Sequence, residues 1–522
     1  MTEAVAAAVA PGRLRRRPWM TLVVVSMAVI MVAIDGSVVA VANPYIGRDL
    51  HASLADLQWI TNSYLLALAV SLILGGKLGD HFGRRRVFLA AVCGFTAASL
   101  AIGLVGTIDG VIVLRVVQGA FGALLLPNTL ALLRAAYPAE ALNRAVGTWV
   151  SASAVATAAG PIVGGLFVEH ISWQSVFFIN VPVGMATVGL GLLVLSESRQ
   201  GQRRRFDIPG VVTLALGLLA VVYALVNAQD WGWGSARTLG LIALGAVVLA
   251  GFVALEHVTA DPLVPLGIFR DRSVSLSTVI VLLDFFALFG VLFFIGLYLQ
   301  SVHGYSPAGA GVRLLPLTVT FAFSGNIGAR LTERFGPWLP ITGGLLATSV
   351  ALFSLATLQV DSSYLHLWPP FALIGLGIGL VVTAATDAIV GNVPVDQAGV
   401  ASGIQVTAIQ LGGVLGTAVG GSLIGATVAG GLLSRLLNAG VPPAVARTLA
   451  RSSAVVSQGL APVPAGSPVR VAQAIAQGSH AAFMAGLHLT MAVAASAALV
   501  GAALGPFVRR GSTPAGAAGP VL

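Results

Sequence analysis

Gly75-Gly76-Lys77-Leu78-Gly79-Asp80-His81-Phe82-Gly83-Arg84-Arg85-Arg86 interrupts two long apolar runs with four glycines, one acid and a basic cluster. Inside a bilayer, polar and irregular backbone is tolerated only at the water interface or where protein or water surrounds it. The stretch therefore reads as a short turn between two spanning helices. Its three consecutive arginines place that turn on the cytoplasmic side.

Composition agrees. The 522-residue chain is 57% hydrophobic and only 9% charged, against about 25% charged in soluble domains, and its mean hydropathy is +0.93. This is the composition of an integral membrane protein. The net charge of +9 comes from 28 basic and 19 acidic residues, and every basic residue except Lys77 is arginine. These arginines are scattered through short loops in ones to fours, which argues against a polybasic nucleic-acid surface. A single cysteine, Cys93, lies in an apolar run, so neither a disulfide framework nor a thiolate metal site is available. Arg13 to Arg17 precede an apolar run from about Trp19 to Val41 that is long enough to span and lacks an evident cleavage site, so no cleavable signal is expected.

At about 20 apolar residues per span, fourteen spans are predicted. Six centre near Val29, Ala69, Thr96, Gly122, Val155 and Thr187, two near Leu218 and Val247, and six near Phe289, Thr320, Thr348, Ile378, Leu415 and Ala494. Roughly 20 of the 28 basic residues then fall on alternate loops, including Arg13 to Arg17, Lys77 to Arg86, Arg134 and Arg144, Arg199 to Arg205, and Arg509 and Arg510. By the positive-inside rule both termini are cytoplasmic. The chain also repeats: Gly76 to Gly83 lies over Ala329 to Gly336 with basic, Leu, acid and Phe-Gly in register. The expected organisation is a tail 1–18, a six-helix half 19–196, an inserted pair 197–257, a second six-helix half 258–506 with a long outer loop 432–479, and a tail 507–522. Two six-helix halves related by an axis along the membrane normal are implied.

The loop fits G-x-L-x-D-x-x-G-R-R, which resembles the signature between spans 2 and 3 of the major facilitator superfamily, with His81 where a basic residue is usual. Other segments are similar to motifs of that superfamily's fourteen-span drug:proton antiporters. They are Ile34-Asp35-Gly36-Ser37-Val38-Val39 in span 1, Leu57-Gln58-Trp59-Ile60 with Tyr64-Leu65-Leu66 in span 2, and Arg115-Val116-Val117-Gln118-Gly119 in span 4. Gly160-Pro161-Ile162-Val163-Gly164-Gly165 in span 5 and the positions of Trp173, Asn180, Pro182 and Gly184 also match, as do Tyr298-Leu299-Gln300 and Gly304-Tyr305-Ser306 after span 9. The resemblance implies an all-α membrane protein of major facilitator fold. Its expected activity is proton-coupled antiport, exporting hydrophobic or amphiphilic drugs, antibiotics or natural products. A proton-coupled uptake symporter for a small metabolite is the alternative.

An acid within a span must be paired, hydrated or protonated. Asp35 in span 1 and Arg115 in span 4 share a depth: the pair is either a proton-coupled switch or a static ion pair that fixes helix orientation. Asp284 near mid-membrane is the second candidate proton carrier, beside Phe285, Phe286 and Phe289. Asn62, Tyr64, Gln118, Phe285 and Phe286 are the candidate substrate contacts, the aromatics being equally suited to packing. Gly76, Asp80, Gly83, Arg84 and Arg85 are read as a gate latch rather than a mere turn. Gly160, Pro161, Gly164 and Gly165 are read as a hinge or a close helix contact. Arg313, Asp387 and His488 are weaker polar candidates. No nucleotide-binding loop, metal-spaced cluster or nucleophile elbow occurs. The expectation is therefore a non-enzyme with no cofactor or metal, driven by the proton gradient. Its partners would be a small-molecule substrate, protons and the lipid bilayer, without nucleic acid. It would act as a monomer in the plasma membrane.

Overall fold

The computed structural model describes residues 18–198, 207–259, 261–393 and 397–510. Arg13 to Arg17, Arg199 to Arg205 and the tail beyond Arg510, which the orientation argument uses, lie outside the described residues. Among the described residues the structure is helical, without strands. The long helices are α1 (Pro18–Asp49), α2 (Leu54–Phe82), α3 (Arg84–Leu104), α4 (Ile108–Ala136), α5 (Ala139–His170), α6 (Asn180–Val194), α7 (Ile208–Trp231), α8 (Ala236–Val258), α9 (Arg272–Leu297), α10 (Leu315–Phe335), α11 (Trp338–Leu355), α12 (Trp368–Gly391), α13 (Ala398–Asn438) and α14 (Val469–Leu504). Each predicted centre falls in one of them.

Twelve of the described helices are long and apolar enough to cross a membrane, thirteen with α2, which bends by 51° between Leu72 and Leu74. The remaining predicted span corresponds to α10, which has the length but carries Arg330, Glu333 and Arg334, and whose buried stripe of Leu317, Thr318, Ser324, Gly328 and Thr332 is largely polar or small. It belongs to the bundle through one face packed on α12, while length and apolarity together support twelve to thirteen spans among the described residues rather than the expected fourteen.

Helix ends follow local chemistry. Ser53 and Asp56 form a capping box at the start of α2. Thr107, Asp207, Ser235 and Asp271 cap α4, α7, α8 and α9, each accepting a backbone N–H from the first turn. The helices α2 and α10 end in Gly83 (φ +105°) and Gly336 (φ +83°), the glycines that superpose in the sequence repeat. Both occupy a conformation that disfavours side chains.

Packing repeats at an offset of eight helices. α1 lies on α5 as α9 lies on α13, α2 on α4 as α10 on α12, α3 on α4 as α11 on α12, and α3 on α6 as α11 on α14. The inserted α7 and α8 pack on one another, and α7 also touches α2 and α13. The 41-residue α13 is about 60 Å long, twice the hydrocarbon thickness. The segment 432–479, expected to be a loop, is therefore largely helical: α13 runs through to Asn438, Pro443–Leu449 and Ser453–Val456 are short helices, and α14 begins at Val469.

Candidate functional site

The buried face of α1 presents Asp35 among Met31, Val32, Val38 and Val39. From α4 the Arg115 Nη1 donates to Asp35 Oδ2 at 2.6 Å, and both residues are essentially inaccessible. Gln118, one turn further along α4, accepts from Arg115 Nη1 at 2.7 Å and donates to Asp35 Oδ1 at 2.8 Å and to Ser99 Oγ of α3 at 2.6 Å. Asn180, at the start of α6, donates to Asp35 Oδ1 at 3.0 Å. Arg115 Nε donates to the Ile60 carbonyl of α2 at 3.1 Å. The Tyr64 ring lies 3.9 Å from the guanidinium carbon, at cation–π distance. Five helices thus converge on one carboxylate, which has donors on both oxygens. Such a network satisfies a buried charge that would otherwise be costly.

The sequence placed Asp35, Arg115, Gln118 and Tyr64 among its candidates, and the structure unites them. It does not make Gln118 or Tyr64 a lining of open space: both are buried, one hydrogen-bonded into the ion-pair network and the other stacked on it. Asn62 is also buried. Its Oδ1 accepts from Thr417 Oγ1 of α13 at 2.5 Å, and next to it Gln58 Nε2 donates to the Thr417 carbonyl. Sequence reasoning missed Ser99 altogether and gave Asn180 no role. A serine in a span carries no signal of which way it faces, whereas Asn180 lay in a recognisable motif.

Asp284 of α9 stands apart. It is fully buried, and neither carboxyl oxygen has a hydrogen-bond partner among the described residues. Phe285 and Phe289 stack beside it with centroids 6.2 Å apart. Phe286 faces Gly290, Gly416 and Gly420. The lesser candidates disperse: Arg313 stacks on Tyr305 at 3.6 Å, His488 Nε2 lies 2.6 Å from the Leu358 carbonyl, and Asp387 is exposed.

The glycines of α5 serve close packing. A Cβ on Gly160 would lie 1.8 Å from Ser37 Oγ and one on Gly164 2.3 Å from Val38 Cγ2, both on α1. A Cβ on Gly165 would lie 2.5 Å from the Pro307 carbonyl oxygen, and one on Gly311 would lie 2.3 Å from that of Pro161. The helix Pro307–Arg313, which leads into α10, is thus seated backbone to backbone on α5. Ala308 N donates to Glu169 Oε2 at 3.1 Å and Gln300 Nε2 to the Val41 carbonyl at 3.2 Å. Gln458 Nε2 reaches the Ala52 carbonyl at 3.0 Å. These contacts join the two helix sets at one end of the bundle.

At the other end, Asp80 Oδ1 accepts from Arg84 Nη2 at 2.9 Å and from its Nε at 3.1 Å. Arg85 Nη2 donates to the Leu192 carbonyl at 2.7 Å, its backbone N–H donates to Glu197 Oε1 at 3.1 Å, and Arg86 lies 3.8 Å from Glu197. Gly76 has room, while a Cβ on Gly83 would lie 2.6 Å from Glu197 Oε1. The stretch expected to be a turn is instead helical up to Phe82, with Gly83 alone between α2 and α3, and the Asp80 carboxylate in the last turn of α2 is held by Arg84, the first residue of α3. Among the described residues no group of three or more His, Cys, Asp or Glu could hold a metal.

Two helix sets packed by the same rule around buried ionisable groups are the architecture of a polytopic membrane transporter. The chain belongs to the Major Facilitator Superfamily, whose model matches residues 25–417. It is 46% identical over 501 residues to the tetracenomycin C resistance and export protein of Streptomyces glaucescens, covering 95% of this chain and 93% of that protein. It is 32% identical to the multidrug efflux pump LfrA of Mycolicibacterium smegmatis, covering 94% of this chain and 95% of the pump. The crystal structure of a bacterial homologue of the human lysosomal transporter Spinster superposes with a TM-score of 0.63 at 16% identity, over 95% of this chain and 99% of that one.

Proposed function

We propose that this protein is a proton-coupled antiporter that exports hydrophobic or amphiphilic small molecules, drugs or natural products, across the plasma membrane. Export is supported by relatives of near-equal length whose names specify resistance and export. Proton coupling rests on one observation, the buried Asp35–Arg115 pair at 2.6 Å. Every group bonded to Asp35 is a donor, so the network suits the charged acid. A proton on Asp35 cancels the attraction to Arg115 and releases the arginine to Gln118 and Ile60. Because α1, α2, α3, α4 and α6 all meet there, that release loosens the half that must rock. Asp284, with no compensating partner, is the site where the second half would hold a proton or a cationic substrate.

In this reading both termini are cytoplasmic, and the end carrying Ala52, Glu169 and Gln300 faces out. The contacts between the halves then close the outer side, and Asp80–Arg84 rests in its inward-open position. The halves and inserted pair keep the boundaries expected from sequence, and the protein acts as a monomer without a cofactor. Substrate-dependent proton release from proteoliposomes, screened over ethidium and neutral polyketides, tests the function. Substrate movement with no proton flux in any case would exclude antiport with protons.

A further inference from the structure

The two inserted helices bring a second pair of acids together. Asp207 is the N-cap of α7 and Glu256 lies in the last turn of α8; they are 7% and 3% exposed. Each carboxyl uses one oxygen on backbone: Asp207 Oδ1 accepts from Gly210 N at 2.9 Å, and Glu256 Oε2 accepts from Val264 N at 2.8 Å. The other two oxygens, Asp207 Oδ2 and Glu256 Oε1, are buried and have no donor among the described residues. They point at the same place. A Cβ on Gly210 would lie 2.2 Å from Asp207 Oδ2 and 2.6 Å from Glu256 Oε1, and the two carboxyls are hydrogen-bonding neighbours.

Two ionised carboxylates cannot lie against each other out of water, whereas one proton between them satisfies both orphan oxygens at once. A cation arrives from elsewhere in the fold. Lys77, near the C-terminal end of α2, donates to the carbonyls of Asp261 and Pro262 at 3.2 Å each, on the segment that connects Glu256 to Val264, and its charge acts on Glu256. The other charged or titratable groups on that stretch are His257 and Asp261, with Arg270 further along the chain, all exposed. With one proton the acid pair carries a single negative charge, which matches Lys77.

We propose that Asp207 and Glu256 form a second proton-binding site, a carboxyl–carboxylate pair sharing one proton and coupled through Lys77 to the end of α2 that holds Asp80. A plain structural acid pair would pin the α7–α8 hairpin and nothing more. Here the balancing charge belongs to α2, so displacing the end of α2 removes it and favours a second proton. The site lies apart from Asp35 and stands whether or not Asp35 carries the transported proton.

The test is infrared difference spectroscopy on the full-length protein in lipid nanodiscs, titrated with pH. Glu256→Gln and Asp207→Asn each preserve shape, and asparagine caps a helix as aspartate does. Each should abolish the same protonated-carboxyl carbonyl band. The double variant should lose no more than either single, and Asp35→Asn and Asp284→Asn should retain the band. Lys77→Met should carry the band to higher pH, by about one unit or more if the ammonium lies within 4–6 Å. A band untouched by both single variants, or additive losses from two separately protonated acids, would overturn the shared site. A titration unmoved in Lys77→Met would overturn its tie to α2.

Discussion

Replacing Arg115 by alanine is the perturbation whose size the structure specifies best. The side chain is 1% exposed, donates to Asp35, Gln118 and the Ile60 carbonyl, and stacks on Tyr64. Alanine removes all of these together and leaves Asp35 charged and buried with only amide donors. Deleting one member of a buried ion pair costs about 3–5 kcal/mol, far above the ~0.6 kcal/mol typical of a neutral hydrogen bond between membrane helices. The charge therefore dominates, and the folded fraction at a fixed challenge should fall about a hundredfold or more. Asp35→Asn/Arg115→Met removes both charges while keeping volume, so it should recover most of the loss. Thermal challenge in nanodiscs followed by fluorescence-detected size exclusion would compare the three proteins. A double variant as unstable as Arg115→Ala would refute the account of the pair.

Other outcomes follow from particular contacts. Gly311→Val places side-chain atoms against the Pro161 carbonyl and should prise α5 from Pro307–Arg313, raising maleimide labelling of a cysteine at Ala308; unchanged labelling would deny that this seam is the closed end. Asp80→Asn removes the acceptor of Arg84 and should slow turnover severalfold with substrate binding intact, while an unchanged rate would reduce the loop to a turn. In a Cys93→Ser background, a cysteine at exposed Ala465 should react with an impermeant reagent from outside and one at His81 should not, a reversal sinking the topology; Ser457, also on the outer segment, is buried and unsuitable. His303 lies beyond α9, where burial, with Arg313 adding to it, lowers its imidazole below the ordinary 6.5. The unfolded chain then binds that proton first, so His303 contributes stability above about 6.5 that fades as pH falls through that value. His303→Gln should flatten this limb of the stability profile, measured by thermal challenge across pH.

Most of the fold was legible because a bilayer restricts the choices: apolar runs of about 20 residues become helices, and the loop at Asp80 has its echo at Glu333. α10 shows the limit, since its apolarity is one-sided and falls short of a span, and only packing against α12 reveals that it belongs to the bundle. The segment 432–479 misled because alanine-rich sequence suits loop and helix alike, and no propensity argument distinguishes a helix that continues past the membrane. Asp35 and Arg115 could be paired from depth alone. Ser99, Asn180 and Thr417 could not, because helix rotation decides whether a small polar residue faces lipid or an acid. Asp207 and Glu256 escaped notice for another reason: acids at helix ends are ordinary, and only the fold shows that these two meet.

The central claim is that Asp35 carries the proton whose movement drives export. The most direct measurement imposes a pH gradient on proteoliposomes containing Asp35→Asn and follows substrate accumulation and counterflow together. The account predicts no proton-driven accumulation while substrate exchange down its own gradient persists, because asparagine stands permanently for the protonated acid. Accumulation against a gradient by Asp35→Asn would contradict it and transfer the role to Asp284.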